Sequence, residues 1–179
     1  MSKKEHNLTI IDADSLIYII GASLDTVQLE PLGIMKLDEF IGDILIATKA
    51  KRYIGYFGGK GGKNFRYAVA VTKPYKGNRK KEKPEWFEFW EPVLKAHMEN
   101  VWRFQPVLNV EADDACTIAA NKYRGKYAKI TIASPDKDLR QLGDMHFYDY
   151  GKQTENYISN EEGMRRICSQ LITGRMLPV

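Results

Sequence analysis

The sequence predicts an α/β fold with a mostly parallel central sheet flanked by helices. Short apolar runs rich in β-branched residues alternate with longer stretches of helical periodicity. Three short acidic stretches, Ile11-Asp12-Ala13-Asp14, Glu111-Ala112-Asp113-Asp114 and Ser134-Pro135-Asp136-Lys137-Asp138, each sit at the end of an apolar run. No internal repeat or low-complexity tail breaks the alternation, and 179 residues at 44% hydrophobic content suit one domain with a real core.

Residues 8–11 read as the first strand, followed by a helix carrying Leu16, Ile17 and Ile20 at helical spacing. Residues 37–50 read as a second, amphipathic helix, and 53–57 as a strand stopped by Gly58-Gly59. Phe87, Trp90, Leu94 and Met98 mark one face of a helix over 84–100 that begins with proline. A third strand is expected over 101–104, a helix over 112–123, a fourth strand over 130–133 and a fifth over 145–148. The final helix is expected over 160–172.

Charge is segregated. Residues 60–83 hold nine Lys or Arg against Glu82, a local charge of +8, while the rest of the chain sums to −4. Such an arrangement suits one face binding a polyanion; the plainer alternative is a solvated lysine loop. Cys116 and Cys168 have no partners at zinc-finger spacing and read as buried thiols of a reducing compartment. His6, His97 and His146 lie far apart, which disfavours a histidine metal site or a catalytic triad. Without a signal-peptide core or an apolar run of roughly 18 residues, a cytosolic, membrane-free protein is expected.

In open parallel sheets the working site lies beyond the carboxyl ends of the strands, where the sequence puts Asp12 and Asp136. Glu111, Asp113 and Asp114 fall in the first turn of a helix. One acid there is explained by the backbone dipole, whereas three in four residues repel one another and call for a cation. Asp14 suits a capping role, and Asp138 suits the first turn of a short helix reaching Leu142. Oxygen-only ligands favour Mg²⁺ or Mn²⁺, commonly as two ions roughly 3.5–4 Å apart flanking a phosphate. Lys76 and Arg79 in Tyr75-Lys76-Gly77-Asn78-Arg79 are the cations placed to neutralise phosphoryl oxygens, and Tyr75 could stack on an unpaired base or pack under the next helix.

Ile11-Asp12-Ala13, Asn64-Phe65-Arg66, Tyr75-Lys76-Gly77-Asn78-Arg79, Glu111-Ala112-Asp113-Asp114 and Asp136-Lys137-Asp138-Leu139 follow one another over essentially the whole chain. In this order they resemble the phage and bacterial 5′ nucleases of the flap endonuclease type. That resemblance implies a PIN-like domain over residues 1–174 with a basic helical arch over about 73–100 that admits a free 5′ end. It also implies hydrolysis of DNA, with RNA primers as a second substrate class, from 5′ ends and flaps in phage-type replication or DNA degradation. Asp12, Glu111, Asp113, Asp114, Asp136 and Asp138 would hold two Mg²⁺ or Mn²⁺ ions directly or through water. Lys76 and Arg79 would contact the scissile phosphate, Arg66 nearby backbone, and Tyr75, Lys80 and Lys81 the nucleic acid.

Two positions depart from the family pattern. Tyr56-Phe57-Gly58-Gly59-Lys60 stands where the family usually has an aspartate after its second strand, and after Gly174 the chain reads Arg175-Met176-Leu177-Pro178-Val179 in place of a further Gly-Asp and a helix-hairpin-helix module. The expectation is a weakened second metal site and duplex grip, with a second polypeptide as the source of the missing part. The alternatives are a noncatalytic nucleic-acid-binding subunit and a small PIN-type ribonuclease.

Overall fold

The computed structural model describes residues 6–59 and 83–173. Among them are the strands β1 (Asn7–Asp12), β2 (Arg52–Gly58), β3 (Gln105–Val107), β4 (Lys129–Ala133), β5 (Met145–Asp149) and β6 (Thr154–Ile158). The helices are α1 (Asp14–Leu24), α2 (Glu30–Ala47), α3 (Glu85–Asn100), α4 (Ala112–Tyr123) and α5 (Asn160–Thr173), with a 3₁₀ turn at Lys137–Gln141. The strands form one sheet in the order β3-β2-β1-β4-β5-β6, parallel except for β6, which returns antiparallel to β5.

Alternation along β1 sorts its side chains between two layers. Leu8 and Ile10 join Cys116, Ala119 and Ala120 of α4, whereas Ile11 and Ala13 join the core built by α1, α2 and α3. On the same side as Ile11, the Thr9 hydroxyl donates to that of Thr48 at 2.7 Å, which satisfies a buried polar pair. Asp12 follows Ile10 in register, so the pleat aims its carboxyl toward α4.

The expected helix over 37–50 starts seven residues earlier, at Glu30, because Pro31 supplies an N-terminal start that the glycine-containing stretch after it obscures in the periodicity. The strand expected over 101–104 is displaced to Gln105–Val107. Val101 caps α3, Arg103 adopts a left-handed φ of 57°, and the Phe104 N–H returns to the Met98 carbonyl at 2.9 Å, so this apolar run is a helix exit. β6 has no counterpart in the expected elements, since only Ile158 of its five residues is buried. Of the expected arch, residues 85–100 form α3, which packs Phe87, Trp90, Leu94 and Met98 into the core beside α1 and α2. Cys116 is buried as expected. Cys168 is exposed on α5, contrary to the expectation, because it lies away from the side of that helix that carries buried Gly163 and Arg166.

Two aromatic rings are seated directly on glycines. A Cβ at Gly55 of β2 would lie 2.3 Å from the Phe104 ring, and one at Gly33 of α2 would lie 2.2 Å from Trp90. Gly55→Ala should therefore cost about 1–3 kcal/mol by overpacking a buried strand, read as a lower urea midpoint at unchanged m. An unchanged midpoint would mean that Phe104 is not locked in place.

Candidate active site

The acidic stretches converge at the carboxyl end of the sheet. Asp12 ends β1, the Ser134–Asp138 stretch follows β4, and α4 begins beside them at Glu111. Asp12 is only 5% exposed. Its Oδ2 accepts the Ser134 hydroxyl at 2.8 Å, and its main-chain carbonyl accepts the Tyr150 phenol at 2.7 Å. Burial pushes the Asp12 carboxyl up to about 7; the Ser134 hydrogen bond opposes this, and the neighbouring Asp14 and Asp113 carboxylates reinforce it.

Ser134 also accepts the Asp136 N–H at 3.0 Å, and Asp136 Oδ1 accepts the Asp138 N–H at 2.8 Å, which caps the 3₁₀ turn. One buried hydroxyl thus couples Asp12 to the turn that carries Asp136 and Asp138. Partial burial and the adjacent Asp136 carboxylate raise the Asp138 carboxyl above its ordinary range.

Glu111, Asp113, Asp114 and Asp138 line one open cleft of about 530 Å³, with Thr117 and Gln141 among its other walls. The first turn of α4 uses part of this acidity locally. Asp114 accepts the Glu111 N–H at 3.4 Å in a capping box, and Asp113 Oδ1 accepts the Asp114 N–H at 2.7 Å. Asp12 and Asp136 are not among the cleft's lining residues; Asp12 is linked to it by the charge of Asp113.

Asp14 does not cap α1. Ala13 occupies the N-cap position, and Asp14 Oδ1 accepts the Gly58 N–H at 2.9 Å, setting a carboxylate beside the strand end that lacks one of its own. Ser134, Tyr150 and the cross-strand role of Asp14 carry no signal in sequence, because each acts on residues 44 or more positions away. His97 is held by Asp38 and His146 lies beside Glu155, so both belong elsewhere in the fold. Arg66, Tyr75, Lys76, Arg79, Lys80 and Lys81 lie outside the described residues.

Among the described residues no three His, Cys, Asp or Glu side chains are grouped closely enough to hold one ion between them. The donor set nevertheless fits a hard divalent cation. It is all oxygen, several carboxylates share one open cleft, and Mg²⁺ is commonly held by one or two carboxylates with water completing the shell.

A family model described as the N-terminal resolvase-like domain of 5′-3′ exonucleases matches residues 7–167. Among solved structures, bacteriophage T5 5′-exonuclease with bound divalent zinc is similar at a TM-score of 0.67 and 20% identity, covering 84% of this chain and 58% of that one. A bacteriophage T5 flap endonuclease variant, in a pseudo-enzyme-product complex with DNA and metal ions, gives 0.63 and 18%, covering 84% and 57%. The catalytic core of Rad2 in complex with DNA gives 0.51 and 14%, covering 95% and 55%. These likenesses share the fold, and the chain spans somewhat over half the length of each. No curated protein matches the sequence.

Proposed function

Because this chain belongs to the family of 5′-3′ exonuclease N-terminal resolvase-like domains, we propose that it is a metal-dependent nuclease that hydrolyses phosphodiester bonds of DNA near free 5′ ends or flaps. The observation that carries the proposal is the gathering of Glu111, Asp113, Asp114 and Asp138 around one open cleft, with Asp12 buried beside it. Two of the similar structures hold DNA, which favours DNA as the substrate class.

The carboxylates would hold Mg²⁺ or Mn²⁺, directly or through water, and the ion would supply charge for the phosphoryl oxygens and a water of lowered pKa. The chain's own residues do the positioning. Ser134 fixes the Asp12 carboxyl, Asp136 fixes the start of the 3₁₀ turn, and Tyr150 holds the Asp12 main chain at the end of β1. Lys76 and Arg79 are proposed to neutralise the scissile phosphate, with Arg66, Tyr75, Lys80 and Lys81 following the strand.

The test is a matched pair of DNA substrates, one with an open 5′ flap and one whose 5′ end is closed by a hairpin. Strong preference for the open end is expected. Equal cleavage of both, or cleavage confined to single-stranded RNA, would replace this reading with that of an end-independent nuclease.

A further inference from the structure

The strand starts lie at the edge of the sheet opposite the acidic cleft, and the three connections α2–β2, α3–β3 and α4–β4 all arrive there. Their composition is one-sided. Residues 44–59 contain Lys49, Lys51 and Arg52, residues 100–110 contain Arg103, and residues 115–135 contain Lys122, Arg124, Lys126 and Lys129; none of the three stretches contains an acid. Main-chain bonds from Lys51 N–H to the Asn7 carbonyl and from Ala128 N–H to the His6 carbonyl hold two of these connections against β1.

Lys129 is neutralised by Glu155. Lys49, Lys51, Arg52, Arg103, Lys122, Arg124 and Lys126 are exposed, and none pairs with a carboxylate among the described residues. Asp144, on the approach to β5, gives its carboxylate to the Asn160 N–H and the Tyr157 hydroxyl. The cations are also pre-positioned. The Lys122 and Lys126 ammonium groups sit 5.7 and 5.5 Å from the centre of the same Tyr123 ring, which Tyr127 supports edge-on. Arg124 is anchored by the Gly143 and Asp144 carbonyls. Two like charges held against one ring, with no carboxylate paired to either among the described residues, suit an anionic partner.

We infer that this edge is a second contact surface for the phosphate backbone of duplex DNA, separate from the cleft. The connections are spread over four adjacent strands, roughly 14 Å at the usual spacing, which covers several phosphates of a duplex carrying one charge per about 1.7 Å. α4 connects the two ends. Its first turn carries Asp113 and Asp114 of the cleft and its last turn Lys122, about 14 Å along the axis from Asp113. The surface would therefore hold duplex remote from the scissile bond, by backbone contacts without base readout. Choosing DNA as the polyanion rests on the nuclease reading above.

The experiment measures affinity of the whole chain for blunt duplex DNA in EDTA across a salt series, for wild type, Lys122→Glu/Lys126→Glu and Lys122→Gln/Lys126→Gln. Both double variants should flatten the log–log salt slope by about 1.8, as for two lost phosphate contacts. The Glu pair should also weaken binding at low salt by at least about tenfold. Maximal cleavage rate at saturating substrate should be unchanged. An unaltered slope and affinity in both variants, with unfolding midpoints at the wild-type value, would reduce this edge to a solvated face. Binding in chelator does not depend on hydrolysis, so a protein that fails to cleave would overturn the nuclease reading alone.

Discussion

Asp12→Asn is expected to stabilise the metal-free protein at pH 8 while removing its response to divalent metal. The folded carboxyl titrates near 7 against an ordinary value of 3.8. Below about 3.8 the group is protonated in both states and contributes no difference. Between 3.8 and 7 the folded protein keeps a proton that the unfolded chain has released, so stability falls as pH rises through this window. Above 7 the buried charge costs on the order of 4 kcal/mol, from about three units at 1.36 kcal/mol each.

Asparagine removes the charge and keeps one acceptor oxygen, but offers fewer acceptor sites to the Ser134 hydroxyl and the Asp14 N–H, both of which bond the carboxylate. A net gain of about 2 kcal/mol is expected at pH 8, falling to zero between about pH 5 and 6 and turning into a loss near pH 4, where wild type no longer carries the charge. A cation beside Asp12 reverses the wild-type penalty, so Mg²⁺ should raise the wild-type midpoint and displace protons near pH 7. Urea unfolding at both pH values, with EDTA and with Mg²⁺, reads all of this. A variant less stable than wild type at pH 8, or equally stabilised by Mg²⁺, would show that Asp12 bears no uncompensated charge.

Arg140→Met should destabilise the fold by about 3–5 kcal/mol. Arg140 and Asp149 form an ion pair at 3.1 Å with side chains only 3% and 4% exposed, so removing one partner leaves a buried charge unpaired. Asp149 Oδ1 additionally accepts the Gly151 and Lys152 N–H groups of the turn between β5 and β6. Arg140→Met/Asp149→Asn should recover part of the loss, because the amide oxygen still serves the turn and no lone charge remains. Arg140 belongs to the 3₁₀ turn that carries Asp138, so the single variant should weaken Mg²⁺ binding as well. Additive losses in the double variant would mean that the two residues do not act as a pair.

Those residues mark the limit of what sequence patterns disclose. The placing of Asp12, Asp113 and Asp136 toward the carboxyl end of the sheet was legible, because acids at the end of β-branched runs, or in a first helical turn, fall where parallel topology gathers the strand ends. α4 matched its expected bounds, since its apolar spacing is regular and ends at the polar Tyr123–Gly125 stretch. β6 was hidden by its low burial, and α2's first two turns by Gly33 next to Pro31. Arg140–Asp149 and Asp12–Ser134 are pairings across space between residues whose local sequence looks like ordinary surface or loop. The one-sided charge of the three helix-to-strand connections is visible in composition, but becomes a surface only when parallel topology brings them to one edge.

The acidic cleft is expected to act as a metal-dependent hydrolytic centre. A 5′-labelled flap substrate, incubated with wild type and with Asp113→Asn in Mg²⁺, Mn²⁺ or EDTA, measures this. The expected result is product in either metal, none in EDTA, and a loss of roughly 10²-fold or more in the variant, as for removal of a preorganised electrostatic group. Product that persists in EDTA, or that Asp113→Asn leaves unchanged, would contradict it.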